Sequence, residues 1–334
     1  MIAPAVEAPP AHALFASRSR WRWFEIAFFI VAAAAIPIFP THLILIAQVL
    51  IIGLFALSFD LLVGYAGIAS LGHAAFFGLG AYAAGWLARA GWGEPITGLL
   101  FASAIAALAG FLLSILVARL TGIALLMITF GIGLLLYEAA HSAKAVTGGD
   151  DGLSGITMWP LFGHFEFDFT GRTAAIYTLI VVLALYLVVR RIVNSPFGLE
   201  LKGIRENIKR IPALGISVSL RMMAVFTISA ALAGVAGALL AQITQTVALP
   251  VLGFDRSVSA LIIVMLGGIG QLIGAMIGAA FYTIVQDRLS SLNPTYWNFW
   301  LGLMLVIVVL FARGGLLGAL ARIETLLGRR GKPR

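Results

Sequence analysis

The feature that most constrains this sequence is a succession of long apolar segments that contain no charged residue. Examples are residues 174–189, 222–243 and 299–312. Their lengths approach the roughly 20 apolar residues that a helix needs to cross a bilayer, whereas barrel strands would alternate polar and apolar residues over about ten positions. Because a chain inside the bilayer must satisfy its backbone N–H and C=O groups internally, the pattern predicts an all-α polytopic membrane protein.

Composition agrees with this class. Hydrophobic residues make up 61% of the chain and charged residues only 11%, whereas a soluble domain carries about 25% charged residues. The net charge of +8 would suit nucleic acid, but in a membrane chain a basic excess marks the cytoplasmic loops. We therefore exclude a water-soluble enzyme, a disordered chain and a nucleic-acid binder, and expect the lipid bilayer as a partner.

The basic residues are concentrated in three segments. Residues 1–23, 190–221 and 313–334 contain 16 of the 22 Lys and Arg residues but only 4 of the 14 acidic ones. The positive-inside rule places all three in the cytoplasm and the acidic loop 139–173 outside. The predicted organisation is an N-terminal tail (1–23), a transmembrane domain (24–312) that includes both loops, and a basic C-terminal tail (313–334).

The number of spans follows from this topology. The predicted apolar segments are 24–39, 43–63, 66–88, 96–118, 120–138, 174–189, 222–243, 257–287 and 295–312. Six crossings return the chain to the cytoplasm at residue 190, but a single crossing by 257–287 would place the basic C-terminal tail outside. The conflict disappears if 257–287 is re-entrant and folds back at Gly267–Gly270. We therefore expect an even number of transmembrane helices, between eight and ten.

Glycine interrupts two of the predicted spans, at 64–73 and at 267–270. Paired interruptions of this kind in the two halves of a chain indicate a transport pathway. Close helix packing through small residues is the alternative, and we favour it for Gly78, Gly80, Gly85, Gly274 and Gly278. The predicted pathway residues are Asp60, Gly64, Tyr65, Gly67, Ser70, His73, Gly267, Gly268 and Gly270.

Two of these residues are ionisable and have alternative roles. Asp60 and His73 fall inside or beside spans, where ionisable groups usually have a function such as proton coupling or substrate contact. Asp60 could instead accept hydrogen bonds from free N–H groups of the turn at 64–67. His73 could be a packed, hydrogen-bonded residue.

No enzymatic motif is present in the sequence. The five histidines contain no i,i+4 pair, and there is neither a G-x-S-x-G elbow nor a G-x-x-x-x-G-K-[ST] phosphate loop. Asp150 and Asp151 lie in a glycine-rich loop, but their spacing does not fit a calcium loop. We expect no catalytic residue, metal or cofactor in this chain, so any ATP would have to bind another polypeptide.

The cytoplasmic loop contains a predicted amphipathic helix from about 199 to 211, ended by Pro212. Leu201, Ile204 and Ile208 share one face of this helix, and basic residues lie on the others. Such a helix either rests on anionic lipid or docks into a groove of a cytoplasmic partner. The residues alone leave both possibilities open.

Several motifs resemble branched-chain amino acid ABC transporter permeases. The loop motifs are Ser195–Gly198, Ile204–Asn207 and Ala213–Ile216, and the span motifs are Gly64–Gly67, Ser70–Gly78, Gly80–Tyr82 and Gly267–Gly270. Thr147–Gly149 followed by Asp151–Gly155 is similar to the M-type subunit. The chain departs from the family at Ile68-Ala69, where a polar pair with Gln is common.

This resemblance implies a subunit of a heteromeric importer in the bacterial inner membrane, with both termini cytoplasmic. The implied partners are two ATPase subunits, which carry ATP and Mg²⁺, a second homologous permease, and an extracytoplasmic substrate-binding protein. The implied coupling residues are Glu200, Arg205, Glu206, Asn207, Lys209 and Gly215. The alternatives are a permease of the same family for urea, amides or aromatic acids, and a stand-alone ion-coupled secondary transporter.

Overall fold

The computed structural model describes residues 23–118, 120–167, 171–311, 315, 316 and 318, and this part of the chain is helical. The helices are α1 Trp23–Ile38, α2 Leu43–Asp60, α3 Ala74–Arg89, α4 Pro95–Val117, α5 Ile123–Ser142, α6 Arg172–Val193, α7 Pro196–Asn207, α8 Val218–Thr244, α9 Phe254–Gly267, α10 Leu272–Leu292 and α11 Trp297–Phe311. Short helical turns lie at 144–147, 149–151, 211–214 and 249–252. Two isolated β-bridges, Leu153 with Val247 and Leu161 with Phe165, complete the described structure. The predicted all-α fold is confirmed.

Five described helices are long and apolar enough to cross a membrane. They are α2 with its extension to Ala66, α4, α5, α6 and α8, and the bent pair α9–α10 can be counted as a sixth span. A count of eight to ten requires α1, α3 and α11 to cross as well, although these helices have only 16, 16 and 15 residues. That count therefore stays a prediction, and nearly all of the two predicted tails lies outside the described residues.

Helices α2 and α8 form the centre of the molecule. Helix α2 is buried almost continuously from Leu50 to Asp60, and α8 packs against α2, α3 and α4. A Cβ built on Gly80 would lie 2.1 Å from the carbonyl oxygen of Gly234, and one on Gly278 would lie 2.3 Å from that of Ile263. These glycines therefore allow helix backbones to approach closely, as the packing alternative predicts.

The segment after α8 breaks where the sequence predicts a fold-back. Helices α9 and α10 are bent by 114° relative to each other, across residues 268–271. Gly268 and Gly270 have positive φ angles of 109° and 79°, which glycine adopts without steric cost. A Cβ on Gly267 would lie 1.8 Å from the carbonyl oxygen of Gly274, so at this point the two arms meet backbone to backbone.

Helix α7 differs in position from the predicted helix at 199–211. It begins at Pro196, because proline is favoured in the first turn of a helix, and it ends at Asn207. The Asn207 side-chain oxygen accepts a hydrogen bond from the N–H of Lys209 at 3.2 Å, an Asx turn that competes with further helix. Leu201 and Ile204 of the predicted apolar face are buried, whereas Ile208 is half-buried and follows the last residue of α7.

A buried ion pair attaches α1 to α6. The Nε of Arg190 donates to Oε2 of Glu25 at 2.9 Å, and the two side chains are 13% and 11% exposed. The ring of Phe29 also meets that of Tyr186 with 5.1 Å between centroids. Helix α1 is therefore held by a polar contact and an aromatic contact to the same neighbour.

Removing the Glu25 carboxylate should destabilise the protein. We expect Glu25→Ala to lower the free energy of unfolding by about 3 kcal/mol, because it removes one partner of a buried ion pair. Thermal unfolding of the detergent-solubilised protein measures the change, with the exposed neighbour Arg191→Ala as the control. Equal melting temperatures for the two variants would show that the pair contributes nothing.

Candidate functional site

The two predicted glycine breaks meet inside the molecule. Residues Leu61–Ala66 continue α2 as a π-helical turn, a geometry that is frequent at functional sites, and Gly67 ends it with φ of 73°. A Cβ built on Gly64 would lie 2.5 Å from the backbone nitrogen of Gly270 and 2.1 Å from Oδ1 of Asp60. Only glycine at position 64 allows this contact between breaks that lie about two hundred residues apart in the sequence.

Asp60 joins the two breaks. Its side chain is fully buried, and Oδ1 accepts a hydrogen bond from the N–H of Gly270 at 2.8 Å. Asp60 therefore accepts a backbone hydrogen bond, as the alternative role predicts. The donor is Gly270 in the second break rather than an N–H group of the turn at 64–67. The reason is that residues 61–66 are helical and bond their N–H groups within the helix.

Arg205 of α7 reaches the same point. Its Nη1 donates to the carbonyl oxygen of Gly64, and a Cβ on Gly270 would lie 3.1 Å from this nitrogen. A Cβ on Gly67 would lie 3.0 Å from Cγ of Arg205. We call Asp60, Gly64, Gly67, Gly270 and Arg205 the glycine junction, since each of them touches another member across a break.

Tyr65 contacts α7 rather than a cavity. The ammonium of Lys202 lies 5.1 Å from the centre of the Tyr65 ring, a favourable cation–π distance. Gly267 packs against α10, and a Cβ on Gly315 would lie 2.5 Å from the nitrogen of Gly268. The predicted pathway residues Tyr65, Gly267 and Gly268 therefore lie next to the glycine junction without belonging to it.

His73 and Ser70 lie apart from the junction. The His73 ring is fully buried, its Nε2 is 2.9 Å from Oγ of Ser58, and it stacks on Phe55 with 5.5 Å between ring centres. This is the packed, hydrogen-bonded environment of the alternative interpretation. Ser70 is buried, and its hydroxyl has no hydrogen-bond partner among the described residues.

Two cavities lie on either side of the loop that follows Gly67. The α7 cavity, of about 560 Å³, is lined by residues 66–69, by 120–126 and by the end of α7. The α9 cavity, of about 330 Å³, is lined by Leu71, Gly72, the second half of α5 and the start of α9. Of the predicted pathway residues, Gly67 lines the first cavity, and none of the nine lines the second.

The wall between the cavities is a direct contact of the loop with α5. A Cβ built on Gly72 would lie 2.0 Å from the carbonyl oxygen of Thr129, and the N–H of Leu71 donates to Oγ1 of Thr129 at 3.2 Å. Sequence reasoning did not identify α5 as part of the site. The available signal was Thr129 followed by Gly131 and Gly133 within an otherwise apolar span.

The predicted coupling residues divide into two groups. Glu200 forms an ion pair with Arg221 of α8, with 2.5 Å between Oε2 and Nε, and Arg205 joins the glycine junction. Arg205 is itself exposed, as are the four other residues, and Leu214 beside them is 72% exposed, a feature not predicted. We call the exposed residues beyond Arg205 the α7 tip; it comprises Glu206, Asn207, Lys209, Leu214 and Gly215.

In the part of the acidic loop that the structure describes, Asp150 and the glycines make contacts within the loop. Asp150 pairs with Nδ1 of His141 at 2.9 Å, and a Cβ on Gly148 would lie 1.9 Å from the carbonyl oxygen of Gly152. Among the residues that the structure describes, no group of three or more His, Asp or Glu side chains could hold a metal ion. The loop is therefore a tight turn closed by its own backbone.

These features define a multi-pass α-helical membrane protein whose core is broken at two touching glycine turns. The sequence profile described as "Branched-chain amino acid transport system / permease component" matches residues 42–309, so the chain belongs to that family of transport permeases.

Comparison with individual proteins supports membership of this family. The chain is 31% identical over 288 residues to the high-affinity branched-chain amino acid transport system permease protein LivM of Escherichia coli K12, and 30% over 283 residues to LivM of Salmonella typhimurium. Each alignment covers 78% of this chain and 66% of the relative, so the chain spans about two thirds of their length. LivH of Escherichia coli is 32% identical over 158 residues, 46% of this chain and 50% of LivH. No solved structure matches the chain significantly.

Gly64→Ala tests the contact between the breaks. The added methyl would meet Gly270 backbone at 2.5 Å, so we expect a loss of about 1–3 kcal/mol of stability from overpacking. Gly131→Ala is the matched control, because a Cβ there has no neighbour within 4 Å. Thermal unfolding measures both, and an unchanged Gly64→Ala variant would contradict the contact.

Proposed function

We propose that this chain is a membrane-spanning permease subunit of an ATP-driven importer of branched-chain amino acids. Membership of the permease family and the names of the LivM and LivH relatives support the cargo. The 334 residues contain no phosphate-binding loop. In this proposal ATP and Mg²⁺ therefore bind two separate ATPase subunits, and this chain contributes the transport path.

The observation that carries the proposal is the double attachment of α7. The buried Leu201 and Ile204 fix α7 to the protein, Arg205 bonds to Gly64 at the glycine junction, and the α7 tip remains exposed. A helix attached in this way transmits a displacement of its tip to the breaks in the core. An ATPase bound to the α7 tip could therefore drive the protein between outward-open and inward-open states.

The remaining partners follow from the same proposal. A second homologous permease would pair with this chain, and an extracytoplasmic binding protein would deliver the substrate. The α7 cavity would open to the cytoplasm and the α9 cavity to the outside of a bacterial inner membrane, with both termini cytoplasmic. The contact between Gly72 and Thr129 would then close the path between the two sides.

Uptake by the reconstituted complex tests the function. Proteoliposomes containing this chain, its partner permease, both ATPases and the binding protein should accumulate leucine, isoleucine and valine only when ATP is supplied. A panel with urea, short amides and aromatic acids distinguishes other cargoes of the same family. Uptake that persists without the ATPases, driven by a proton or sodium gradient, would establish a secondary transporter and contradict the proposal.

Substitutions in α7 should separate docking from coupling. We expect Glu206→Arg with Lys209→Glu to weaken ATPase binding, because both side chains are exposed at the tip. Arg205→Gln should leave the ATPases bound but lower uptake at least tenfold, since it weakens the bond to Gly64 and hydrogen bonds of charged groups contribute about 1.5–3 kcal/mol.

Co-purification of the ATPases, ATP hydrolysis and uptake are measured together for these variants, with Arg191→Gln as the basic control outside α7. If Arg205→Glu and Glu206→Arg both left transport and stimulated ATP hydrolysis intact, α7 would not couple the subunits.

A further inference from the structure

We infer that Asp60 is a positioning residue for transport, because its second carboxylate oxygen receives the guanidinium of Arg205 when α7 is displaced. The inference rests on the proposed function and deepens it, since it names the residue through which a movement of α7 reaches the second glycine break. An unpartnered oxygen of Asp60, a nearby cation and a helix face lined by glycine support it.

The carboxylate of Asp60 is only half used in the structure. Oδ1 accepts the N–H of Gly270 at 2.8 Å, whereas Oδ2 is buried and has no hydrogen-bond partner among the described residues. The side chain as a whole is fully buried. A buried carboxylate oxygen without a donor is costly, and ionisable groups inside spans usually have a function. We therefore expect Oδ2 to gain a donor in another state of the protein.

Arg205 is the cation that can supply this donor. Its positive charge acts electrostatically on Asp60, although the hydrogen bond of its Nη1 goes to the carbonyl oxygen of Gly64. The side chain is otherwise exposed, so close packing does not fix its position. A guanidinium has five N–H donors, and its hydrogen bonds to a carboxylate are stronger than those to a neutral carbonyl. Arg205 therefore lies close to a better acceptor than the one that it uses.

The route between the two groups follows one face of the helix. Asp60, Gly64 and Gly67 are spaced i, i+4 and i+7, so they share a face of α2 and its π-helical extension. A Cβ on Gly67 would lie 3.0 Å from Cγ of Arg205, and a Cβ on Gly64 would collide with Oδ1 of Asp60. The stem of Arg205 therefore lies at one end of this face and the carboxylate at the other, with glycines between them.

Transfer of the guanidinium to Oδ2 would join α7 to both breaks. In the position that the structure shows, Arg205 is bonded to the first break through Gly64. At Oδ2 it would share the carboxylate with Gly270, whose N–H keeps its bond to Oδ1. A displacement of α7 would then act directly on the turn between α9 and α10. Asp60 thus acts through Arg205, without contact to the transported molecule.

A double-mutant cycle in the reconstituted complex tests this role. Asp60→Asn removes the charge but keeps an oxygen that can accept the Gly270 N–H, and Arg205→Gln removes the cation. We expect each single variant to lower ATP-dependent leucine uptake about tenfold or more. The double variant should be no less active than Arg205→Gln alone, because residues that act on each other are not additive. Losses that multiply in the double variant, or normal uptake by Asp60→Asn, would overturn the inference.

Stability and assembly distinguish this role from a structural one. Asp60→Asn should keep the melting temperature of the complex and the co-purification of the ATPases, because the bond to Gly270 and the α7 tip are retained. Asp151→Asn, an exposed acid in the outer loop, is the matched control for uptake. A loss of uptake by Asp60→Asn that is accompanied by a lower melting temperature would show a structural role and overturn the inference.

Arg205→Lys gives an independent test at an exposed position. Lysine keeps the positive charge that Asp60 attracts, so this variant should retain at least threefold more uptake than Arg205→Gln. Equal uptake by the two variants would overturn the inference, and this comparison decides if Asp60→Asn fails to fold.

Failure of the proposed function is distinguishable from failure of this inference. In the first case the wild-type complex shows no ATP-dependent uptake. Active wild-type complex together with multiplied losses in the double variant rejects the role of Asp60 alone.

Discussion

The hydrogen bond from the Gly270 N–H to Asp60 is the interaction on which the rest of the structure depends. Backbone that leaves the helical conformation at membrane depth must find partners within the protein. Here the π-helical turn at 61–66 and the non-helical turn at 268–271 lie against each other, and a fully buried carboxylate spans the contact. The burial of α2, the bend between α9 and α10 and the position of Arg205 are all consistent with this one arrangement.

Much of the fold was predictable because apolar segments and glycines carry local information. Each of the nine predicted apolar segments overlaps a described helix, although α3 begins only at Ala74 and 257–287 contains two helices, and the fold-back at Gly267–Gly270 is where α9 and α10 diverge. The meeting of Gly64 with Gly270 was not predictable, since it depends on tertiary packing across more than two hundred residues. Thr129 was missed for the same reason, because its contact with Gly72 depends on tertiary packing and only the nearby Gly131 and Gly133 marked this part of the span.

The coupling segment shows a different limit of sequence reasoning. Motif resemblance grouped six residues by position in the loop, but the structure separates them by their contacts. Glu200 contacts Arg221 and Arg205 contacts Gly64, while the α7 tip is exposed. The amphipathic period of α7 already implied two faces. What it did not indicate was that Arg205, a charged residue that is itself exposed, would also contact the core at Gly64.

If the contact at Gly72 closes the proposed transport path, it has a consequence for the speed of opening. The barrier would then be formed by a glycine against the carbonyl oxygen of Thr129. Side chains change rotamer within picoseconds to nanoseconds, whereas packed helices shift over microseconds to milliseconds. Such a contact between backbones would be insensitive to the fast fluctuations that let ions leak past a side-chain gate, and it would open only when α5 or the loop moves as a unit.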